Sequence, residues 1–271
     1  MLELEKLSEI TLKIRRNIVK MVAEAKSGHP GGSLSAVELL TVLYFTQLNI
    51  NQDNVNDVER DKFVLSKGHA SPVLYSTLAA KGFIQDEELL TFRKINTRIQ
   101  GHPSMNTLKC VDMSTGSLGQ GISCAVGMAI SNKIHNNEYR VYALLGDGEV
   151  QEGQVWEAFM SAAHYKLDNL LAIIDCNGLQ IDGNVSDVMN IEPIDIKLEA
   201  FGWNVIKIDG HNMQEIYNAC EEAKTVKGKP TVLIAKTIKG KGVSFMENNY
   251  KWHGVAPTVE QRDLALKELG E

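Results

Sequence analysis

Val141-Tyr142-Ala143-Leu144-Leu145-Gly146-Asp147-Gly148 is an apolar run that stops on an acidic residue held between two glycines. A second run, Leu170-Leu171-Ala172-Ile173-Ile174-Asp175-Cys176, stops on Asn177. Short aliphatic runs bounded by turn formers predict buried strands, and the segment Gly153–His164 between them predicts a helix. A carboxylate and a carboxamide then stand at the carboxyl ends of two strands, where ligands of open α/β sheets gather. Such hard oxygens suit magnesium, which keeps positions for phosphate oxygens and water. The flanking glycines let backbone approach a diphosphate closely. Gly-Asp-Gly alone is also an ordinary turn; Asn177 at the end of the next strand is what gives it weight. The segment after it, Gly178-Leu179-Gln180-Ile181-Asp182-Gly183, reads as a turn with exposed carbonyls.

Outward from this unit, helix and strand patterns alternate. Leu4–Lys26 carries Leu7, Ile10, Ile14, Ile18, Met21 and Val22 at helical spacing, and Leu34–Gln47 predicts a second helix with Ser33 as its N-cap. Asp61–Ser66 reads as a strand, Pro72 opens a helix to about Lys81, and Gly119–Asn136 reads as a helix packed on a sheet. Val205–Ile208, Met213–Val226 and Pro230–Lys236 continue as strand, helix and strand. The expected fold is α/β, a parallel sheet with helices on both faces. No repeat, low-complexity tract or convincing linker divides the chain, so residues 1–271 are expected to form one domain.

The bulk properties narrow the function classes. A chain of 271 residues can bury a large core, and 44% hydrophobic with 23% charged residues is ordinary for a globular protein. A net charge of −6 argues against a nucleic-acid surface and against anionic lipid. No apolar stretch approaches the roughly 20 residues that span a bilayer, and Met1–Lys6 lacks the form of a signal peptide. The expectation is a cytoplasmic protein with no membrane or nucleic-acid partner. Cys110, Cys124, Cys176 and Cys220 show no metal-like spacing and are expected to be free thiols.

Four histidines sit beside glycine in loops: Gly28-His29-Pro30-Gly31-Gly32, Ser66-Lys67-Gly68-His69, Gly101-His102-Pro103 and Trp252-His253-Gly254. Glycine frees the backbone to present an imidazole from an unusual turn. Imidazole can donate to, accept from and shuttle protons with hydroxyls and carbonyls, so several of them suit a polyhydroxylated substrate. No HxxxH or HExxH pair points to a metal. His135, His164 and His211 read as polar surface or helix ends. Ser114-Thr115-Gly116-Ser117-Leu118-Gly119-Gln120-Gly121 leads into a helix and presents backbone N–H groups to an anion or polar ring, without the GxGxxG of a dinucleotide site. Lys236–Gly242 lacks the spacing of a phosphate loop and reads as a flexible basic loop leading toward His253.

Taken together, GHPGGSLS (28–35), FVLSKGHASPVLY (63–75), GHPS (101–104), STGSLGQG (114–121), GDGEVQEGQVWEA (146–158) and HG (253–254) occur in the order seen in transketolases. Essentially the whole chain resembles the amino-terminal, thiamine diphosphate-binding part of that family. The resemblance implies a thiamine diphosphate-binding fold in which Asp147, Asn177 and the Leu179 carbonyl hold Mg2+ on the cofactor diphosphate. It implies further that Gly116, Ser117, Leu118, Gly146, Gly148, Ile181, His69 and His253 line the cofactor, and that Glu152 takes the place of an acidic residue coupling cofactor and subunit interface. His29 and His253 would flank the sugar hydroxyl that loses a proton, and His69 and His102 would bond the two-carbon fragment.

The activity implied is transfer of a two-carbon ketol unit from a ketose, free or phosphorylated, to an aldose, free or phosphorylated. The cofactor supplies carbanion stabilisation; the protein supplies binding, orientation and proton transfer. A full transketolase chain is more than twice this length, and its remaining part carries the pyrimidine-binding half. The expectation is therefore a split enzyme in which this chain pairs with a C-terminal, pyrimidine-binding chain in an α2β2 heterotetramer. Two alternatives remain: the α subunit of a thiamine diphosphate-dependent 2-oxoacid dehydrogenase, which the histidine loops disfavour, and a non-catalytic scaffold, which the retained ligand residues disfavour.

Overall fold

The computed structural model describes residues 3–271. Its sheet has five parallel strands: β1 (Lys62–Leu65), β2 (Val141–Gly146), β3 (Leu170–Cys176), and, after a two-residue hairpin of β4 (Leu179–Gln180) and β5 (Gly183–Asn184), β6 (Asn204–Asp209) and β7 (Thr231–Lys236). Their spatial order is β1-β2-β3-β7-β6. Side chains of a strand alternate between faces, and here both faces are covered. Tyr142, Leu144, Leu171 and Ile173 join one buried cluster, with helices α1 (Leu4–Ala25), α4 (Ser71–Ala80) and α9 (Met213–Thr225). Val141, Ala143, Leu145, Leu170, Ala172 and Ile174 join the other, with α5 (Gln120–His135) and α6 (Gly153–His164). That double burial is why the two runs read as unbroken apolar stretches rather than alternating ones. The expected parallel sheet with helices on both faces is what the chain forms.

The predicted elements hold to within a residue or two, with one substantive difference. Leu34–Gln47 is not one helix and Ser33 is not its N-cap. A short helix α2 (Pro30–Leu34) starts on Pro30, with Ser33 inside it donating its hydroxyl to His29 O at 2.7 Å. After a break at Ser35 and Ala36, α3 (Val37–Val42) runs into a wider turn at Leu43–Gln47. Proline at the first helical position needs no N–H partner and fixes the entry angle. Three further helices lie outside the predicted set: α7 (Val185–Val188), α8 (Ile194–Ala200) and α10 (Val259–Glu268). All four cysteines are free, and among the described residues no helix is long and apolar enough to cross a membrane.

Candidate active site

The sheet register builds the site. Gly146 pairs with Asp175 and Cys176 with Lys236, so Asp147, Asn177 and Thr237 emerge side by side from β2, β3 and β7. The turn after β1 adds Lys67 and His69 at the same edge. Four adjacent strand ends thus converge.

At the floor lies Asp175, wholly buried at 0% exposure. Its carboxylate accepts from Ser35 Oγ at 2.5 Å, from the Lys67 ammonium, from the Thr237 hydroxyl and from Asn177 Nδ2 at 3.2 Å. Burial alone would raise its pKa; the Lys67 charge and these donors outweigh that and hold it below the usual carboxylate range. Because Nδ2 of Asn177 is committed to Asp175, its Oδ1 is the free end of the carboxamide, accepting from Leu179 N at 3.1 Å. Asp147, also buried, accepts from Gly148 N at 2.8 Å and Gly178 N at 2.6 Å. Burial and the neighbouring Asp175 push its carboxyl up to about 6. A carboxylate so disfavoured is one that a cation would stabilise.

Lys239 supplies a positive charge to the same place. It is 2% exposed, and its ammonium donates to the Leu179 carbonyl at 3.1 Å and to His253 Nδ1 at 3.2 Å. Burial, and then the Lys67 charge, lower its pKa to about 8. The loop carrying it is packed rather than loose, contrary to the sequence reading of Lys236–Gly242: Gly240 N bonds Gly31 O at 3.0 Å and Asn248 N bonds Lys239 O at 3.0 Å. An ammonium has only donors, so His253 Nδ1 accepts and its ring proton sits on Nε2.

The histidines assemble as expected for three of the four. His29, His69 and His253 form a triangle with ring centroids 5.1–5.4 Å apart. Burial, followed by neighbouring positive charge, lowers His29 to about 4 and His253 to about 3, and takes His69 well below its usual value. All three are neutral at neutral pH. His102 is exposed and stands beside Gly116, where a side chain would come within 3.2 Å of its ring. Gly116 and Leu118 are half-buried and Ser117 exposed. Ile181 is 63% exposed at the turn between β4 and β5, and Glu152 is exposed where α6 begins, against Gly119. Neither joins the cluster formed by the strand ends. A cavity of about 970 Å3 opens beside Asp147 and Gly178, walled by Ile191, Ile194, Ile208 and Ile238; none of the four loop histidines lines it.

His211 corrects the sequence reading. It does stand at a helix end, just before the Asn212 cap of α9, but not on the surface: its Nδ1 meets Glu38 at 3.0 Å while its Nε2 accepts from Ile238 N at 2.8 Å, and Glu38 is also paired with Arg15 at 2.7 Å. This chain of contacts braces the Thr237–Lys239 loop from behind. Sequence reasoning also passed over Lys67, Asp175, Lys239 and Glu149. Glu149, buried, accepts from Ser66 Oγ at 2.5 Å, Gly119 N at 3.0 Å and Gly146 N at 3.1 Å, tying three of the motif loops to one carboxylate. An acidic residue directly after Gly-Asp-Gly was a visible signal; its three partners were not.

Among the described residues no group of three His, Cys, Asp or Glu side chains could hold an ion. The expected set is of another kind, one carboxylate, one carboxamide and one backbone carbonyl, and these do lie at one strand edge. Such a set suits a cation that takes its remaining ligands from phosphate and water. The Lys239 ammonium beside it, which has no carboxylate partner among the described residues, suits a diphosphate.

A parallel α/β sheet with oxygen donors, buried lysines and neutral imidazoles at its carboxyl edge is chemically suited to a phosphorylated ligand and to hydrogen bonding with hydroxyl and carbonyl oxygens. The chain matches the family described as transketolase, thiamine diphosphate binding domain, over residues 8–270, and it belongs to that family. One of the subunits of the apulose-4-phosphate transketolase of Phocaeicola vulgatus is 42% identical over 270 residues, covering 100% of this chain and 96% of that protein. The 6-deoxy-6-sulfo-D-fructose transketolase subunit SqwG of a Clostridium species is 44% identical over 256 residues, covering 94% and 93%. Human transketolase is 42% identical over 268 residues, 98% of this chain but 42% of that protein. A crystal structure of transketolase from Campylobacter jejuni superposes with a TM-score of 0.93 at 37% identity, covering 99% of this chain and 43% of that one. The chain thus spans less than half the length of the human and Campylobacter proteins.

Proposed function

We propose that this chain is the diphosphate-binding subunit of a two-chain transketolase that works in the cytoplasm with thiamine diphosphate and Mg2+. The observation that carries the reading is the convergence, at four adjacent strand ends, of Asp147, Asn177 and the Leu179 carbonyl with Lys67, Lys239 and the triangle of His29, His69 and His253. Bound there, the cofactor would supply the stabilised carbanion of ketol transfer. Asp147 Oδ, Asn177 Oδ1 and Leu179 O would hold the magnesium, and Lys239 would turn from the Leu179 carbonyl toward the diphosphate. The glycine loop at Gly116–Leu118, with Gly146 and Gly148, would line the cofactor. The neutral imidazoles of His29, His69 and His253 would bond the hydroxyl and carbonyl oxygens of the sugar, with His102 at the rim.

The reaction proposed is movement of a two-carbon ketol unit from a ketose to an aldose, each either free or phosphorylated (glycolaldehydetransferase activity). The names of the two near-full-length relatives support a second chain, proposed as the pyrimidine-binding partner in an α2β2 assembly. They also widen the donors worth testing to branched and sulfonated ketoses. Glu152 is assigned to coupling the cofactor to the subunit interface, and Ile181 to the lining of the cofactor.

The test is an assay of the chain alone and with its co-purified partner, given thiamine diphosphate and Mg2+, against xylulose 5-phosphate, apulose 4-phosphate and 6-deoxy-6-sulfofructose with ribose 5-phosphate as acceptor. Transfer by the complex and none by the single chain is expected. Asp147→Ala should lower magnesium-dependent cofactor affinity of the complex at least 100-fold. Turnover of pyruvate instead would favour the 2-oxoacid dehydrogenase reading, and unchanged cofactor binding in Asp147→Ala a scaffold.

A further inference from the structure

Arg93 stands outside the strand-end cluster, yet the fold takes trouble to place it. Its backbone is left-handed at φ 60°, its N–H bonds Ile99 O at 3.0 Å, and it follows the buried Phe92, over whose ring the guanidinium lies at 5.3 Å. Left-handed conformation at a non-glycine residue is costly enough to need a reason. The guanidinium reaches between two of the histidine loops. Nη1 donates to Ser27 Oγ at 2.7 Å, and Nη2 lies 3.5 Å from His29 Nδ1. Its Nε is buried with no partner among the protein groups. A Cβ on Gly101 would come within 2.9 Å of that Nε, so the glycine before His102 is what makes room for the arginine.

We propose that Arg93 is a positioning residue that fixes the tautomer of His29, so that His29 faces the substrate as a hydrogen-bond donor through Nε2–H. A guanidinium has five donors and no acceptor, so its contact with Nδ1 requires Nδ1 to be the bare nitrogen. The proton is left on Nε2, which is the nitrogen turned toward the His253–Gly254 loop, 3.5 Å from where a Cβ on Gly254 would stand. His253 is set the same way by Lys239 at its own Nδ1. Each cation thus leaves its imidazole an Nε2–H donor, and the two rings lie 5.4 Å apart. The pair is suited to oxygens that gain negative charge as the carbon–carbon bond of the sugar breaks and forms. With Nε2 already protonated, His29 can take a proton from the substrate there only after a tautomer change that moves its own proton to Nδ1 and gives up the Arg93 contact. The substrate part of this inference rests on the ketol-transfer reading; the tautomer does not.

The experiment is a two-dimensional 1H–15N spectrum of the histidine rings in the isolated, 15N-labelled chain at pH 7, with and without Arg93→Met. Wild type should show His29 as a single Nε2–H tautomer, and Arg93→Met should convert it to a mixture while His135 and His164 stay as they were. In the complex with its partner subunit, Arg93→Met should lower kcat on the order of 10-fold, with KM changed less than about 2-fold. An Nδ1–H or mixed His29 in wild type overturns the proposal without need of any variant. So does an unchanged tautomer in a folded Arg93→Met chain, or a loss confined to KM. A correct tautomer in a complex that transfers no ketol unit would overturn the proposed reaction and leave the Arg93 assignment standing.

Discussion

Asp175 is the side chain on which the site's floor depends, through partners 140, 108 and 62 residues away in sequence: Ser35, Lys67 and Thr237. A buried carboxylate and ammonium are costly to bring out of water, and each leaves an uncompensated charge if the other is removed. Asp175→Asn should therefore destabilise the chain by about 3–5 kcal/mol by leaving Lys67 buried without its partner, measured by urea unfolding. Its second effect is on orientation: with the carboxylate gone, Asn177 Nδ2 loses its acceptor and only the Leu179 N–H still holds the carboxamide. Residues that orient ligands in this way typically carry roughly 10- to 100-fold in metal affinity. Calorimetric titration of the folded variant with thiamine diphosphate and Mg2+ should show a loss of that order, and undiminished affinity would refute the orienting role. In sequence, Asp175 is one polar letter in an apolar strand, and nothing local says whether it is buried and paired. Asp147 was legible because its glycines are local; Asp175 and Lys239 were not, because their partners are distant.

At the scale of elements, the glycine loop and α5 are seated against β1 with no room to spare. A Cβ on Gly121 would lie 2.6 Å from Ser66 Cα, a backbone atom that cannot step aside. Ser66 in turn accepts from Ile122 N at 3.1 Å and donates to Glu149. Gly121→Ala should push the amino end of α5 away from the Ser66 turn, at a cost of about 1–3 kcal/mol. The thermal midpoint should fall by several degrees, by differential scanning calorimetry, and a midpoint unchanged within a degree would contradict this packing account. Long elements such as α1, α6 and β3 were readable because periodicity accumulates over their length. α10 escaped the sequence reading although its start was marked: Thr258 caps the Gln261 N–H and Gln261 reaches back to Thr258, a capping box in the letters Thr258-Val259-Glu260-Gln261. The break between α2 and α3 was hidden for the opposite reason. Its apolar residues keep helical spacing through a segment where Pro30 has already started a separate turn.

At the scale of the molecule, the sheet and its covering helices press histidines into surroundings that favour the neutral ring. Burial, and then the charges of Arg93 and Lys239, bring His29 to about 4 and His253 to about 3, against 6.5 for a free side chain. Above pH 6.5 both rings are neutral whether the chain is folded or not, and they cost nothing. Between pH 6.5 and about 4 the unfolded chain takes up protons that the folded one refuses, so their contribution to stability falls as pH falls through that window. The thermal midpoint of wild type should therefore drop more steeply from about pH 7 to about 4.5 than that of His29→Asn/His253→Asn. Parallel curves for the two would show that the histidines do not titrate as described. Catalysis by the complex should likewise show no acid limb near 6.5 from these rings.

Local pattern in the chain was enough for the class of fold, the strand that ends in Asp147, the strand that ends in Asn177, and the four loops that carry histidine. Each is a local pattern: an apolar run of strand length, a glycine beside a functional side chain, a turn former at a boundary. What surrounds those residues emerges from the folded arrangement alone. It brought Lys67, Asp175 and Lys239 beneath the ligand set, turned His211 inward as a brace, and set Arg93 against His29. These depend on strand order β1-β2-β3-β7-β6 and on side chains meeting partners 60 to 173 residues away. Local pattern records which way a side chain points along its own element; distance and charge between elements exist only once the chain has closed on itself.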